Sequence, residues 1–83
     1  YNNPGKIMSR LKRQLEKYEQ QLAESESSLS ELQLEMMDPE LSADYERLME
    51  LQTKIDEENK TQESLLERMM ETELELEEYE ADE

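Results

Sequence analysis

Apolar residues recur at alternating spacings of three and four along the first half of the chain. The series runs Met8, Leu11, Leu15, Tyr18, Leu22, Leu29, Leu32 and Met36, and Ser25 occupies its one polar position. Such a heptad repeat is typical of a long helix that packs one face on another helix. The intervening residues are mostly strong helix formers. The spacing predicts one helix over residues 6–37, with Met8 at position a of its heptad and Leu11 at position d.

A second helix is predicted over residues 44–80, and two heptad phases fit it. The first phase passes through Leu48, Leu51, Ile55, Leu65, Met69, Leu76 and Tyr79, with Glu58, Gln62 and Thr72 at its weaker positions. The second passes through Tyr45, Leu48, Ile55, Leu66, Met69 and Leu76. Residues 56–64 offer no large apolar side chain in either phase, so this helix is apolar at both ends and polar in its middle.

One Asp-Pro pair interrupts the helical pattern between these two segments. Proline inside a helix costs roughly 3 kcal/mol, whereas Asp followed by Pro is a favoured helix start. Ser42 and Asp44 then supply further capping side chains. We therefore expect an all-α fold, an antiparallel two-helix coiled-coil hairpin with an Asp-Pro elbow. Its predicted parts are an N-terminal linker remnant (1–5), helix 1 (6–37), the elbow (38–43), helix 2 (44–80) and an acidic tail (81–83).

Two registers of the hairpin are open. If paired residue numbers sum to 87, Ser25 faces Gln62, and if they sum to 84, Ser25 faces Asn59. Both place polar residues on polar residues in the centre, and the first gives more wholly apolar layers. Charge favours the antiparallel arrangement, because residues 6–17 carry five bases and one acid, while residues 71–83 carry eight carboxylates and no base. An antiparallel hairpin lays these two ends side by side.

Composition limits the function classes. The chain has 83 residues, of which 34% are hydrophobic and none is Trp or Phe. That is too little apolar surface for a globular interior, but enough for a two-helix contact. Cysteine and histidine are absent, which leaves no disulfide, no thiol nucleophile and no usual zinc ligand. We predict no catalytic, cofactor or metal site, no membrane segment and a cytoplasmic location.

Three stretches, LQLEMMDPEL, SADYERLMELQTKIDEE and LLERMMETELELEE, resemble the C-terminal coiled-coil domain of ABC-F ATP-binding-cassette proteins of the Uup type. The resemblance covers about residues 10–80, and its most specific part is Asp38-Pro39-Glu40-Leu41 followed by Asp44. The chain departs from the family at Met69, where members often carry tryptophan, and it lacks their Lys-rich upstream linker.

The resemblance implies a non-catalytic interaction domain of a longer ATPase, a reading that also fits a chain beginning at Tyr1. ATP and magnesium would belong to the cassettes of the parent chain, since this segment has no glycine-rich phosphate loop. The implied partners are the ribosome or nucleic acid and the chain's own cassettes. The alternative function is a structural coiled-coil segment of a scaffold or an oligomerisation module. Weak self-association is a further candidate interaction, and the sequence leaves open whether it uses Leu51, Leu66 and Leu74.

Candidates for partner contact are of three kinds. The basic residues near the N-terminus suit a phosphate backbone, although we favour their pairing with the acidic C-terminal end. Met37 and Met70 lie off the heptad positions that Met36 and Met69 fill. The tip residues either meet a partner or close the end of the helix contact. The predicted contact residues are Lys6, Arg10, Lys12, Arg13, Lys17, Met37, Leu41, Tyr45 and Met70, and the elbow residues are Asp38, Pro39, Ser42 and Asp44.

Overall fold

Two long antiparallel helices joined by a short 3₁₀ helix form the protein in the computed structural model, which describes residues 3–81. Helix α1 spans Pro4–Met36, the 3₁₀ helix spans Pro39–Ala43, and helix α2 spans Tyr45–Ala81. The molecule is a rod of 61 × 19 × 14 Å. The predicted fold class, an all-α helical hairpin, is confirmed.

Helix α1 begins at Pro4, two residues before the predicted start, so residues 4–5 are helix rather than linker. The Asn3 side chain accepts a hydrogen bond from the Gly5 N–H at 2.9 Å and thereby caps the helix. Proline is well placed at the first helical position, because that N–H has no helical partner in any case. Residues 1–2 of the predicted linker and residues 82–83 of the predicted tail lie outside the described residues, and Ala81 belongs to α2.

The elbow is held by side-chain caps. The Asp38 carboxylate accepts from the Glu40 N–H at 3.0 Å, and the Ser42 hydroxyl donates to the Pro39 carbonyl at 2.9 Å. Asp44 then caps α2 by accepting from the Arg47 N–H at 3.1 Å. Since Met37 caps the end of α1 and Asp44 the start of α2, each helix is one residue shorter at the elbow than predicted.

Burial selects the first of the two heptad phases of α2. Leu51 and Leu65 are buried, whereas Tyr45 and Leu66 of the second phase are exposed. Every a and d residue of that first phase, and of the α1 series from Met8, is buried or half-buried. We call this line of contact the seam. Leu51 is 0% exposed, so the seam leaves it unavailable for contact with a second copy.

The middle of the seam is polar. The buried Ser25 hydroxyl donates to the Glu58 carboxylate at 2.5 Å. The two predicted registers placed Ser25 opposite Gln62 or Asn59. Its hydrogen-bond partner is instead Glu58, the seam residue that precedes Gln62. Gln62 is half-buried, and its amide nitrogen has no hydrogen-bond partner among residues 3–81.

Replacement of Asp44 by alanine removes the cap of α2. We expect Asp44→Ala to lower the free energy of unfolding by about 1 kcal/mol in urea denaturation followed by circular dichroism. Asp56→Ala is the matched control, because the exposed Asp56 carboxylate only accepts from the Gln52 side chain. Its effect should stay within about 0.5 kcal/mol. An equal loss of unfolding free energy in Asp44→Ala and Asp56→Ala would contradict the role of Asp44 as the cap of α2.

Removal of the Ser25 hydroxyl leaves the half-buried Glu58 carboxylate without its partner. We expect Ser25→Ala to lower the free energy of unfolding by roughly 1–3 kcal/mol. The double variant Ser25→Leu/Glu58→Leu replaces both polar groups with apolar ones, and we expect it to be at least as stable as the native chain. A stability of Ser25→Ala equal to that of the native chain would show that the hydrogen bond contributes nothing.

Candidate interaction surfaces

The seam divides the rod into two sides of different chemistry. Counting heptad positions from Met8 in α1 and Leu48 in α2, Glu35 and Arg47 both fall at position g. They form an ion pair of 2.8 Å across the helices. The g positions of α1 and α2 therefore share one side, which we call the g side, and the e positions share the other, the e side.

The g side carries a polar groove beside the Ser25–Glu58 hydrogen bond. Its lining residues are Leu65 and a set with polar or charged side chains, among them Gln21, Glu24, Ser28, Thr61, Ser64 and Arg68. The groove is open to solvent along the rod. An open groove of this kind encloses a ligand on few sides, unlike a typical small-molecule pocket.

All the exposed large apolar side chains of residues 3–81 lie toward the e side. They are Leu34, Met37, Tyr45, Met49, Leu66, Met70 and Leu74. Each of the seven falls at heptad position e, b or f, and none falls at c or g. They form two groups, which we call the tip patch (Leu34, Met37, Tyr45 and Met49) and the base patch (Leu66, Met70 and Leu74). The sequence analysis named several of these residues but did not find that they share one side of the rod. Assigning heptad positions to the residues outside the seam would have shown it.

The predicted contact residues at the tip differ in how exposed their side chains are. Tyr45 is 73% exposed and Met37 is 77% exposed, so both are open to a partner. Leu41 is half-buried, as expected for a residue that closes the end of the seam. Of the two alternatives predicted for the tip, contact with a partner therefore fits Tyr45 and Met37, whereas closing the end of the seam fits Leu41. Met70, at 64% exposure, lies in the base patch.

Four of the five predicted basic residues form a stripe along α1. The exposed residues Lys6, Arg10, Arg13 and Lys17 are spaced four, three and four apart. At about 100° per residue they lie within roughly 60° of one another, on the outer face of the helix. We call these four residues the basic stripe. Lys12 is also exposed, but it occupies an e position on a different face.

The basic stripe makes no ion pair with the acidic end of α2. Within residues 3–81, the only base within 4.0 Å of a carboxylate is Arg47, which pairs with Glu35 and Glu50. The expected pairing of the N-terminal bases with the acidic end, residues 71–83, is therefore absent for residues 71–81, and Asp82 and Glu83 lie outside the described residues. The reason is direction, because positions c and f point away from the second helix. Within residues 3–81 the one hydrogen bond from a side chain of the stripe is from the Arg13 Nε–H to the Ser9 carbonyl at 3.4 Å, and the charged groups are otherwise left to solvent or to a partner.

Neither metal binding nor membrane insertion finds support in the described part of the chain. No three or more carboxylates of residues 3–81 are grouped so that they could hold a metal ion. Neither helix contains an apolar stretch long enough to cross a bilayer.

Comparison with known proteins identifies no relative. No protein-family model, curated protein or solved structure matches the chain. The resemblance to the ABC-F terminal domain thus stays a prediction from the sequence.

Proposed function

We propose that the chain is a non-catalytic interaction arm of a larger ABC-F-type ATPase and that it contacts the ribosome or another nucleic acid. The observation that carries this proposal is the basic stripe. Its four cations are exposed and form no ion pair within residues 3–81, and they extend over about 17 Å of helix. A line of cations of this kind suits a phosphate backbone, where each neutralised phosphate releases counterions.

The charge of the rest of the rod restricts where a nucleic acid binds. The chain has a net charge of −15, so its overall field repels polyanions. Residues 6–17 are the exception, with five bases and one acid. Binding is therefore local to the outer face of α1 near the base of the hairpin. Tyr18, which follows the stripe, is half-buried in the seam and does not offer a free ring for stacking on bases.

The shape of the rod suits an arm. The elbow lies at the opposite end from the basic stripe, on a molecule 61 Å long. The tip patch adds exposed apolar groups there, which are the kind that protein contacts use. In this proposal the base of the hairpin holds phosphate and the tip reaches a second contact. The cassettes of the parent protein, in the cytoplasm, supply ATP and magnesium chemistry.

The basic stripe is tested by charge reversal. We expect Arg10→Glu/Arg13→Glu to weaken binding to a labelled RNA duplex, measured by fluorescence anisotropy, by at least about tenfold at low salt. The slope of log K against log salt should become shallower as phosphate contacts are lost. Lys54→Glu/Lys60→Glu makes the same change of net charge on α2 and should alter binding by less than about threefold. Equal losses in both double variants would mean that only net charge matters, and the stripe would be rejected.

The tip contact is tested in the intact protein by co-sedimentation with ribosomes. We expect Tyr45→Ala to weaken ribosome binding by roughly five- to tenfold, since exposed aromatic residues often dominate an interface. Leu41→Ala should instead lower the stability of the hairpin, because Leu41 is half-buried. Glu46→Ala, a change at the exposed neighbour of Tyr45, serves as the control. Unchanged ribosome binding by Tyr45→Ala would remove the tip from the proposal.

A further inference from the structure

The six methionines of the chain divide evenly between the seam and the surface. Three are half-buried at heptad positions of the seam, and they are Met8, Met36 and Met69. The other three are exposed, and they are Met37 (77%), Met49 (50%) and Met70 (64%). In the sequence neighbours Met36–Met37 and Met69–Met70, one thioether lies in the seam and the other in solvent. The fold therefore places identical side chains in two different environments.

We propose that Met37, Met49 and Met70 are sites of reversible oxidation to methionine sulfoxide by a peroxide, and that the seam protects the other three methionines. Methionine is the side chain of this chain that such an oxidant attacks first, because Cys and Trp are absent. The sulfur attacks one oxygen of hydrogen peroxide, so that the O–O bond breaks and an S–O bond forms. Sulfur gives up two electrons, and the second oxygen leaves as hydroxide, which takes the hydrogen of the transferred oxygen and becomes water.

Reversal of the oxidation requires access by an enzyme. Methionine sulfoxide reductases remove the oxygen as water, and the two electrons come from two thiols that join in a disulfide. The reductase must reach the sulfoxide to do this. The exposure that allows oxidation of the three surface methionines therefore also allows their repair.

A sulfoxide affects the hairpin differently in the two environments. It converts an apolar side chain into a polar one. On the surface the new oxygen stays in water, and the helices keep all their contacts. In the seam, at Met36 or Met69, the oxygen would be withdrawn from water among apolar side chains, which is unfavourable without a hydrogen-bond donor. The hairpin thus tolerates oxidation at its three exposed methionines and opposes it at the others.

Two of the three sites belong to the tip patch. Met37 and Met49 supply two of its four exposed apolar side chains, beside Leu34 and Tyr45. Oxidation of both methionines makes half of the patch polar while the rod beneath it stays folded. The consequence for binding rests on the proposed function, in which the tip patch makes the second contact with the ribosome. That contact is then weakened by oxidation and restored by reduction.

Tandem mass spectrometry of peptides measures the order of oxidation. We expect a short treatment with hydrogen peroxide to oxidise Met37 at least about threefold faster than Met36, and Met70 at least about threefold faster than Met69. The members of each pair are sequence neighbours, so a difference in rate comes from the fold. In urea, where the chain is unfolded, the rates within each pair should become equal. Equal rates in the folded chain, or faster oxidation of the seam member, would overturn the proposal.

The same measurement tests reversal. Incubation of the oxidised, folded chain with two reductases, one for each sulfoxide epimer, and dithiothreitol should remove the added oxygen from Met37, Met49 and Met70. Sulfoxides that persist at these three positions would show that the oxidation is not reversible in the folded chain.

Glutamine, which is polar and similar in length to methionine, tests what the fold tolerates. We expect Met70→Gln to change the melting temperature, followed by circular dichroism, by less than about 3 °C, because Met70 is exposed. Met69→Gln is the same change one residue away in the seam, and it should lower the melting temperature by at least about 6 °C. Equal shifts in the two variants would contradict protection by the seam.

Co-sedimentation with ribosomes tests the consequence for the tip, with peroxide removed before the intact protein is mixed with ribosomes. We expect oxidation to weaken binding by the native protein at least about fivefold, and binding by Met37→Leu/Met49→Leu by less than about twofold. Met70→Leu, a change in the base patch, is the control and should stay as sensitive to oxidation as the native protein. Equal losses in the native protein and the double variant would overturn the effect at the tip.

The two proposals fail separately. If the native protein does not bind ribosomes before oxidation, the tip contact is rejected together with its sensitivity to oxidation. The order of oxidation, its reversal and the glutamine variants are measured without any partner, and so they test the three methionine sites whatever the outcome with ribosomes.

Discussion

The seam between α1 and α2 is the contact on which the rest of the structure depends. In a protein most of a helix's stability comes from packing of its apolar face, and the seam is the apolar face that α1 and α2 bury on each other. Leu11, Leu51 and Leu65 contribute most, at about 2 kcal/mol for each buried side chain. The seam also determines which side chains stay free to contact a partner. Every residue that it does not use is displayed on a narrow rod whose two sides differ.

Much of the fold could be predicted because helix packing leaves a period in the sequence. The alternation of three and four located α1, and the Asp-Pro pair with its following caps located the reversal. Boundaries were less accurate, since Asn3, Pro4 and Gly5 resemble a loop by composition yet supply a cap and a first turn. Burial, rather than periodicity, was needed to choose between the two phases of α2.

The site residues were predicted less well, and the reason is side-chain direction. Residue counts place bases and acids at the same end of a hairpin, but they do not say that the basic stripe points away from α2. In the same way, Ser25 lies near several polar residues of α2, and the reach of the Glu58 side chain selects its partner. The common side of the exposed apolar residues was available from the sequence in principle. To find this common side, heptad positions must also be assigned to the residues outside the seam.

The elbow has a consequence for how the hairpin forms. No hydrogen bond that builds it joins residues more than four apart, and no residue from 3 to 81 has a positive φ. The turn is therefore made of local contacts that need no glycine and close no long loop. Contacts near the elbow, such as Glu35–Arg47, close short loops, whereas those near Leu11 close loops several times longer. Because the entropy lost on closure grows with loop length, we expect the two helices to zip together from the elbow toward the chain ends during folding.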